Sequence, residues 1–183
     1  DNMNNIILIR FNEIHLKGGN KKYFTHLLFE NIKTALKGYE CKIENIQNRL
    51  LVRNYKDEDA IINELKCVFG VHSISKAVEL DTSVDAIKNF VATIKIDGSF
   101  KCEVNRAEKS FPIKSNDFCA DLGEIVLNNN PNAFVDIHKP KSIIYVDIRE
   151  NGKTYVFNHI IYAYSGLPLG EYRDGLLMLS GGI

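Results

Sequence analysis

The sequence is short of several residue types, and its charges cancel. Among 183 residues there are no tryptophans, four prolines and four cysteines, and 23 Lys and Arg balance 23 Asp and Glu. A net charge of zero argues against a polybasic, histone-like protein. With 45% hydrophobic residues and only 12 glycines, the chain is neither disordered nor collagen-like. No apolar run approaches the ~18 residues that cross a bilayer, so the composition predicts a folded globular protein with no membrane segment.

The cysteines are widely separated in the sequence. Cys41, Cys67, Cys102 and Cys119 form no Cys-x-x-Cys pair, and no histidine stands at ligand spacing beside them. This spacing signals neither a zinc site nor a disulfide framework, although an even count would permit two bridges in an oxidising compartment. Scattered thiols suit a reducing compartment, and such residues usually behave as small hydrophobic side chains. We therefore predict buried thiols, a cytoplasmic protein and no metal site.

Complete catalytic motifs are missing as well. The five histidines fall in separate predicted elements, and none has a serine, cysteine or paired carboxylate at a catalytic spacing. The sequence also lacks a Walker loop, a dinucleotide-binding fingerprint and a metalloprotease motif. On this pattern the chain by itself is predicted to be inactive, and no catalytic residue is assigned within it.

The hydrophobic pattern divides the chain into two mixed α/β halves. In the first half it predicts a strand at 5–11, a helix from the capping residue Asn20 to 38, strands at 41–46 and 50–54, a helix at 57–67 and a strand at 71–80. The order β-α-β-β-α-β is the ferredoxin-like signature. In the second half it predicts helices at 84–94 and 115–127 and strands at 99–104, 133–137, 142–149 and 154–161.

These patterns predict an α/β (α+β) fold with three segments. Residues 1–76 form a ferredoxin-like domain, 77–165 a second α/β domain, and 166–183 a linker that runs into a glycine-rich end. The stretch from 162 to 175 has no apolar periodicity and several glycines, which is typical of a linker.

The charge is unevenly distributed along the chain. Up to Arg53 there are nine Lys and Arg against five Asp and Glu, so the first part carries +4 and the remainder −4. Within it, Lys17, Asn20, Lys21 and Lys22 surround two glycines before a predicted helix, an arrangement that favours an anion. Arg49 belongs to the same basic region. The alternative is an ordinary loop with a capping asparagine, on a solvated surface.

A second basic stretch connects a predicted strand to a predicted helix. Its candidate contacts are Arg106, Lys109, Phe111, Lys114 and Ser115. Cations beside an aromatic ring suit single-stranded nucleic acid, because phosphates meet the charge and a base stacks on the ring. In the alternative, Phe111 anchors the core, and Asp117 and Asp121 weaken a phosphate site.

The last residues contain a motif that begins like a phosphate cradle. A short apolar run at 176–179 leads into Ser180, Gly181 and Gly182, and glycine lets backbone N–H groups close on an anion. By itself this could equally be an incidental glycine-rich end.

These pieces together resemble one family, the tRNA 4-thiouridine synthetases, also called tRNA sulfurtransferases (the ThiI family). The resemblance rests on the opening Ile9-Arg10-Phe11-Asn12-Glu13-Ile14 and Leu16-Lys17-Gly18-Gly19-Asn20-Lys21, on Val68-Phe69-Gly70-Val71, on the Arg106–Ser115 connection, and on the tail from Gly166 to Ile183. It covers nearly the whole chain, in order. It implies an N-terminal ferredoxin-like domain, a THUMP domain, and the first residues of a PP-loop ATP pyrophosphatase domain.

The resemblance also implies a division of labour. The first two domains bind tRNA, with the 3′ acceptor end at the THUMP domain, and Lys17, Asn20, Lys21, Lys22, Arg49, Arg106, Lys109, Phe111, Lys114 and Ser115 are the predicted RNA contacts. Ser180, Gly181 and Gly182 begin the ATP site. The full-length enzyme would use ATP with Mg²⁺ to adenylate uridine 8 and would take sulfur from a persulfide donor such as a cysteine desulfurase. The same sulfur could feed thiamine thiazole synthesis, and a homodimer is compatible with the family.

Two alternative functions remain open at this point. One is a THUMP module of another tRNA-modifying enzyme, a methyltransferase or deaminase, which the Ser180-Gly181-Gly182 tail disfavours. The other is a ferredoxin-like protein-interaction module with no RNA role. A steep fall of tRNA affinity with rising salt would favour the RNA-binding functions.

Overall fold

A computed structural model describes residues 4–11, 19–46 and 49–164. Within these residues the chain forms four helices and nine strands in two compact units. One unit holds most of residues 6–75 together with 160–164, and the other holds residues 76–159 together with 4 and 5. The mixed α/β class predicted from the sequence is confirmed.

The N-terminal unit has the order β-α-β-β-α-β that the sequence predicts. Its elements are β1 (Asn5–Phe11), α1 (Gly19–Ala35), β2 (Lys42–Ile46), β3 (Arg49–Arg53), α2 (Glu58–Lys66) and the first part of β4 (Val71–Asp81). The strand order is β2-β3-β1-β4, and β3 runs antiparallel to both β1 and β2. The core gathers apolar side chains from the strands and both helices, among them Ile7, Leu28, Leu50, Ile61 and Ile74.

Local sequence explains where α2 begins and where β4 starts. The Asp57 side chain accepts the N–H of Ala60 at 3.2 Å and thereby caps α2. Gly70, in the turn before β4, has a φ of +95°, a conformation that favours glycine. A Cβ at this position would lie 3.1 Å from the ring of Phe24, so the Phe-Gly segment also needs glycine for close packing.

The end of the described chain returns to the N-terminal unit. Strand β9 (Ile161–Tyr162) pairs antiparallel with β4 at Ser73 and Ile74, and Ala163 donates its N–H to His72 O at 3.0 Å. The sequence assigned residues up to 165 to the second domain and predicted a linker from 162, because a two-residue strand gives no periodic signal. Residues 160–164 lie in the compact unit that the first third of the chain forms.

The second unit is built around a mixed sheet. It contains the last part of β4, α3 (Val84–Val91), β5 (Gly98–Arg106), α4 (Ser115–Asn129), β6 (Ala133–Val135), β7 (Ser142–Ile148) and β8 (Lys153–Phe157). The strand order is β4-β8-β7-β5-β6; β5 is parallel to both β6 and β7, and β8 is antiparallel to its neighbours. The core lies between the sheet and the two helices and includes Ile87, Phe100, Phe118, Leu122 and Val146.

Polar caps and turns fix the ends of these elements. Ser83 Oγ accepts the N–H of Ala86 at 2.9 Å at the start of α3. The buried side chain of Asn130, after α4, accepts the N–H of Ile96 at 2.9 Å and donates to Val126 O at 2.9 Å. The predicted Asn-Gly turn before β8 is present, and Gly152 has a φ of +76°.

The cysteines differ from the prediction that all four are buried. All are free thiols; Cys67 is exposed and Cys41, Cys102 and Cys119 are partly buried. Cys67 is the C-cap residue of α2, where the chain turns at the surface. Its position at the helix end, and not its apolar character, therefore determines its exposure. Burial raises the pKa of the Cys102 thiol to about 12, which keeps it protonated and a poor nucleophile at neutral pH.

Candidate nucleic-acid interface

The connection between β5 and α4 is an ordered loop fastened at several points. Arg106 is the last residue of β5, and its guanidinium donates to Phe111 O at 3.0 Å and Ile113 O at 3.1 Å. At the other side of the loop, Ala107 and Glu108 donate their N–H groups to Ile148 O. These bonds fix the path of the backbone between the sheet and the helix.

Glu108 adds a local turn within this connection. Its carboxylate accepts the N–H of Ser110 at 3.0 Å and the hydroxyl of Ser110 at 2.8 Å. These hydrogen bonds from Ser110 lower the pKa of the Glu108 carboxyl, because they favour its charged form. The glutamate therefore shapes the loop and is an acid that sequence reasoning did not assign to it.

Phe111 points into the protein. Its side chain is 6% exposed, and its ring lies 5.2 Å from that of Phe118 in the core of the second unit. Such a ring presents no free face on which a base could stack, so of the two interpretations the structure supports the core anchor. We correct the base-stacking role predicted for Phe111 on this ground, and its contribution to any interface is to hold the backbone above it.

Two cations of the connection project outward. Lys109 is exposed and its Nζ lies 3.4 Å from Arg106 O. Lys114 is also exposed and stands at the N-cap of α4, where no side chain caps the helix. The N–H groups of the first helical turn, from Ser115 onward, thus face outward beside two lysines, an arrangement that attracts an anionic oxygen.

One acid lies in the first turn of α4. Asp117 is exposed, and Asp121 follows one turn later and is partly buried. Because the field of a helix end falls off within a turn, Asp117 is the residue that opposes an anion. Lys109, Lys114 and the helix end favour an anion here, while Asp117 and the Glu108 carboxylate of the connection oppose it.

The basic region of the N-terminal unit is only partly described. Lys17 lies outside the described residues, as do Ser180, Gly181 and Gly182 of the predicted ATP loop. Helix α1 begins at Gly19, which places Asn20 inside the first turn and not at the predicted cap. The first turn has no acid; Asn20 and Lys22 are exposed, and Lys21 is partly buried.

Most other cations of this basic region have a structural partner. Lys33 pairs with Glu30 at 3.7 Å, and Arg53 and Lys42 both reach Glu44, at 2.8 and 3.3 Å. Arg49, at the start of β3, is partly buried. Lys33, Lys42 and Arg53 are therefore paired with acids of the same segment, and the exposed Lys22 is the best remaining candidate at the start of α1 for contact with an anion.

The structure thus arranges the predicted contacts in two groups. Arg106, Lys109, Lys114 and Ser115 come together in one connection of the second unit, while Asn20, Lys21, Lys22 and Arg49 belong to the N-terminal unit. Sequence reasoning missed Glu108 and the uncapped backbone of α4; the Glu-x-Ser spacing could have indicated the turn. In the described part of the chain, no group of three or more His, Cys, Asp or Glu could hold a metal ion. No helix there is long and apolar enough to cross a membrane.

Comparison with known proteins matches both units. Residues 6–75 match the ThiI ferredoxin-like domain, and residues 79–157 match the THUMP domain. A "Probable tRNA sulfurtransferase" of Thermoanaerobacter sp. (strain X514) is 38% identical over 187 aligned residues, which cover 99% of this chain and 48% of that protein. The chain therefore spans about half the length of the curated relatives it matches.

Two solved structures resemble this fold. A protein from Pyrococcus horikoshii Ot3 has a TM-score of 0.76 and 30% identity, covering 91% of this chain and 57% of that one. A 4-thiouridine synthetase, solved in complex with RNA and with bound ATP, has a TM-score of 0.74 and 25% identity, covering 91% of this chain and 44% of that one. The chain therefore carries a ThiI ferredoxin-like domain followed by a THUMP domain, and it is similar over nearly its whole length to part of proteins named probable tRNA sulfurtransferase.

Proposed function

We propose that this chain is the tRNA-binding part of a tRNA sulfurtransferase that makes 4-thiouridine. The observation that supports it is the ordered β5–α4 connection, where Lys109, Lys114 and the uncapped start of α4 converge. Free N–H groups beside two ammonium groups suit the phosphates of a single-stranded RNA end. Its THUMP domain and the RNA complex of a related synthetase support the same assignment.

The described residues act in binding only. Arg106, Glu108 and Phe111 preorganise the loop, so RNA meets a backbone that is already in place. Because lysine contacts to phosphate carry no sequence information, the connection positions an RNA end without reading its bases. In the 4-thiouridine chemistry that we propose for the whole enzyme, the connection positions the RNA substrate, and residues outside this chain make and break the bonds.

We extend the proposal to the full-length enzyme on the names of its relatives. ATP, with Mg²⁺, would activate uridine 8 by adenylation, and a persulfide donor such as a cysteine desulfurase would supply the sulfur. The presence of ATP in the related synthetase structure supports the nucleotide. A cytoplasmic location, a homodimer and a supply of sulfur to thiamine thiazole belong to the same proposal, as do the predicted boundaries at 76 and 165.

The test replaces the two outward lysines and leaves the loop intact. In Lys109→Gln/Lys114→Gln, affinity for a tRNA acceptor minihelix with a single-stranded 3′ end should fall about tenfold at ~0.1 M salt. The slope of log affinity against log salt should decrease by about 1 for each lysine. Filter binding over a salt series measures both quantities.

A matched control has the same change of charge elsewhere in the unit. Lys88→Gln/Lys95→Gln alters α3 and the segment after it, and should leave both affinity and slope close to those of the unmodified chain. Equal losses in the two double variants would mean that net charge, and not the β5–α4 connection, determines binding. Affinity unchanged in Lys109→Gln/Lys114→Gln would refute the assignment of this site.

A further inference from the structure

Strand β6 forms an open edge of the sheet in the second unit. It stands last in the strand order, and β5 is its neighbour in the described part of the chain. Gly98 donates its N–H to Asn132 O at 3.2 Å, and Asp136 donates its N–H to Phe100 O at 2.9 Å. The backbone N–H and C=O groups of successive strand residues point alternately to the two sides of the strand. The backbone groups of the even-numbered residues 132 to 136 therefore point toward β5, and the N–H and C=O of Val135 point away from the sheet.

Large apolar side chains are exposed on both faces of this edge. Phe134 is 57% exposed and Val135 50%, and consecutive strand residues point to opposite faces. Ile137, just after the strand, is 65% exposed, and Leu127 near the end of α4 is 41% exposed. Exposed apolar groups on both faces suit a sheet that continues, because an added strand covers both faces at once.

A groove runs beside the edge on one of these faces. It encloses about 310 Å³ between α4, β5 and the β6 segment, and its walls include Phe100, Leu127, Val135 and Ile137. The walls are mainly apolar, with Lys101 and Glu124 as the charged residues. The Lys101 ammonium group forms an ion pair with Glu103 at 2.8 Å, so its charge has a partner within the protein. The apolar remainder of the groove suits alternate apolar side chains of an added strand.

The segment that follows β6 is positively charged. His138, Lys139 and Lys141 are exposed, and neither lysine has an ion pair within the described residues. The nearby acid, Asp136, accepts the N–H groups of His138 and Lys139 at 3.0 and 3.1 Å; these bonds hold its carboxylate in a turn without removing its charge, and the two lysines outnumber it. Carboxylates of a partner would find two unpaired lysines beside the end of the edge.

We propose that the β6 edge and its groove dock an extended protein segment, which adds to the sheet as a further strand. The segment carries alternating apolar side chains, and carboxylates at the end that lies beside Lys139 and Lys141. Its backbone bonds to the N–H and C=O of Val135, while the groove takes every second side chain. A nucleic acid backbone offers no amide row to match this edge, which favours a polypeptide.

The probe is a fluorescein-labelled peptide, Val-Thr-Val-Thr-Val-Asp-Asp-Asp, titrated with the 183-residue chain. Fluorescence polarisation should show saturable binding, and replacing the aspartates with lysines should weaken it. Hydrogen exchange followed by NMR should show that the peptide protects the Val135 amide. Val135→Pro should weaken binding about tenfold, because it removes the outward donor and spares the bonds to β5.

Two further variants separate this surface from general hydrophobicity. Ile137→Asp places a charge in the groove and should also weaken binding; it carries the test if Val135→Pro does not fold. Phe69→Ser removes a side chain that is 82% exposed in the N-terminal unit, and should leave binding unchanged.

Several results would overturn the proposal. One is the absence of binding at millimolar peptide, and another is equal binding by the folded Val135→Pro and Ile137→Asp variants. Protection of the Val135 amide by a single-stranded oligonucleotide and not by the peptide would assign the edge to RNA. A dimer that forms without peptide and is lost in Val135→Pro, seen by sedimentation, would assign it to a second copy of the chain.

Discussion

The starts of helices α1 and α4 both present exposed lysines, Lys22 in the first turn of α1 and Lys114 at the N-cap of α4, but they differ in the acids around them. Before α4, Arg106, Glu108 and Phe111 fix the connection by hydrogen bonds and burial. At α1 the exposed cation of the first turn is Lys22, and no acid opposes it there. The comparison teaches that two lysine-rich helix starts can differ in whether an acid of the first turn opposes their charge, as Asp117 does in α4.

The largest effect should come from the buried anchor of the α4 connection. Phe111→Ala removes a ring that is packed against Phe118, and we expect the free energy of unfolding to fall by about 3 kcal/mol or more. Urea denaturation measures this change. Phe111→Leu keeps most of the volume and should lose much less. If Phe111→Ala were as stable as the original chain, the ring would not anchor the connection, and its role at the surface would be open again.

A smaller loss is expected when the guanidinium of Arg106 is removed. Arg106→Gln breaks two charge-assisted hydrogen bonds to Phe111 O and Ile113 O, and we expect a loss of stability of about 1 to 3 kcal/mol. Arg106→Lys should recover part of it at most, because an ammonium group cannot reproduce the planar fork. We expect the variant's amide hydrogens at residues 107–113 to exchange faster, because the loop is less ordered. The loss of RNA affinity should increase with the increase in this exchange rate. Lost affinity with unchanged exchange would instead make Arg106 a direct RNA contact.

The cation of α1 should matter less than those of the α4 connection. Lys22→Gln should reduce minihelix affinity by about two- to fivefold, less than Lys109→Gln/Lys114→Gln, since it removes one ammonium group at a helix start. Lys37→Gln, an exposed residue after the other end of α1, is the matched control and should have no effect. Filter binding at constant salt compares them. A loss as large as that of the double variant would make α1 an equal partner in binding.

The smallest effect concerns the protonation of Glu108. Hydrogen bonds from Ser110 lower the pKa of the Glu108 carboxyl in the folded loop. The stabilisation that the carboxylate gives the loop is therefore present above the ordinary glutamate pKa of about 4.3, and it is lost as the pH falls through the lowered pKa of the folded state. The Ser110 amide signal in NMR should therefore hold its shift from neutral pH down to about 5 and change below it. Glu108→Gln should remove this dependence. A Ser110 signal that does not change down to pH 2 would contradict the role of the carboxylate.

Much of the architecture was readable from local pattern. The β-α-β-β-α-β order of the first unit, the α/β elements of the second and the Asn-Gly turn all follow from apolar spacing, caps and turn residues, and the structure confirms them. Each depends on neighbours within a few positions, which is the range over which such signals act. The two lysines that project beside α4 were also in the predicted set.

Other features depended on residues far apart in the sequence. The pairing of Ile161 and Tyr162 with β4 joins positions almost ninety residues apart, so no local pattern could assign that segment to the N-terminal unit. The exposure of Cys67 and of Phe134 likewise depends on where the turn after α2 and the edge of the sheet fall.

By itself the sequence determined the order of helices and strands, the family, and the positions of the cationic segments, because periodicity, turn chemistry and motif are properties of neighbouring residues. Only the tertiary structure decided which residues of the β5–α4 connection build it and which face outward. Phe111 and Lys109 are two positions apart, yet one packs on Phe118 and the other meets solvent. Arg106 carries a charge like its neighbours, but its guanidinium is turned toward backbone carbonyls of its own loop. Burial and hydrogen bonding at these positions depend on how the connection packs against the sheet and the helices, and this packing is a property of the whole fold.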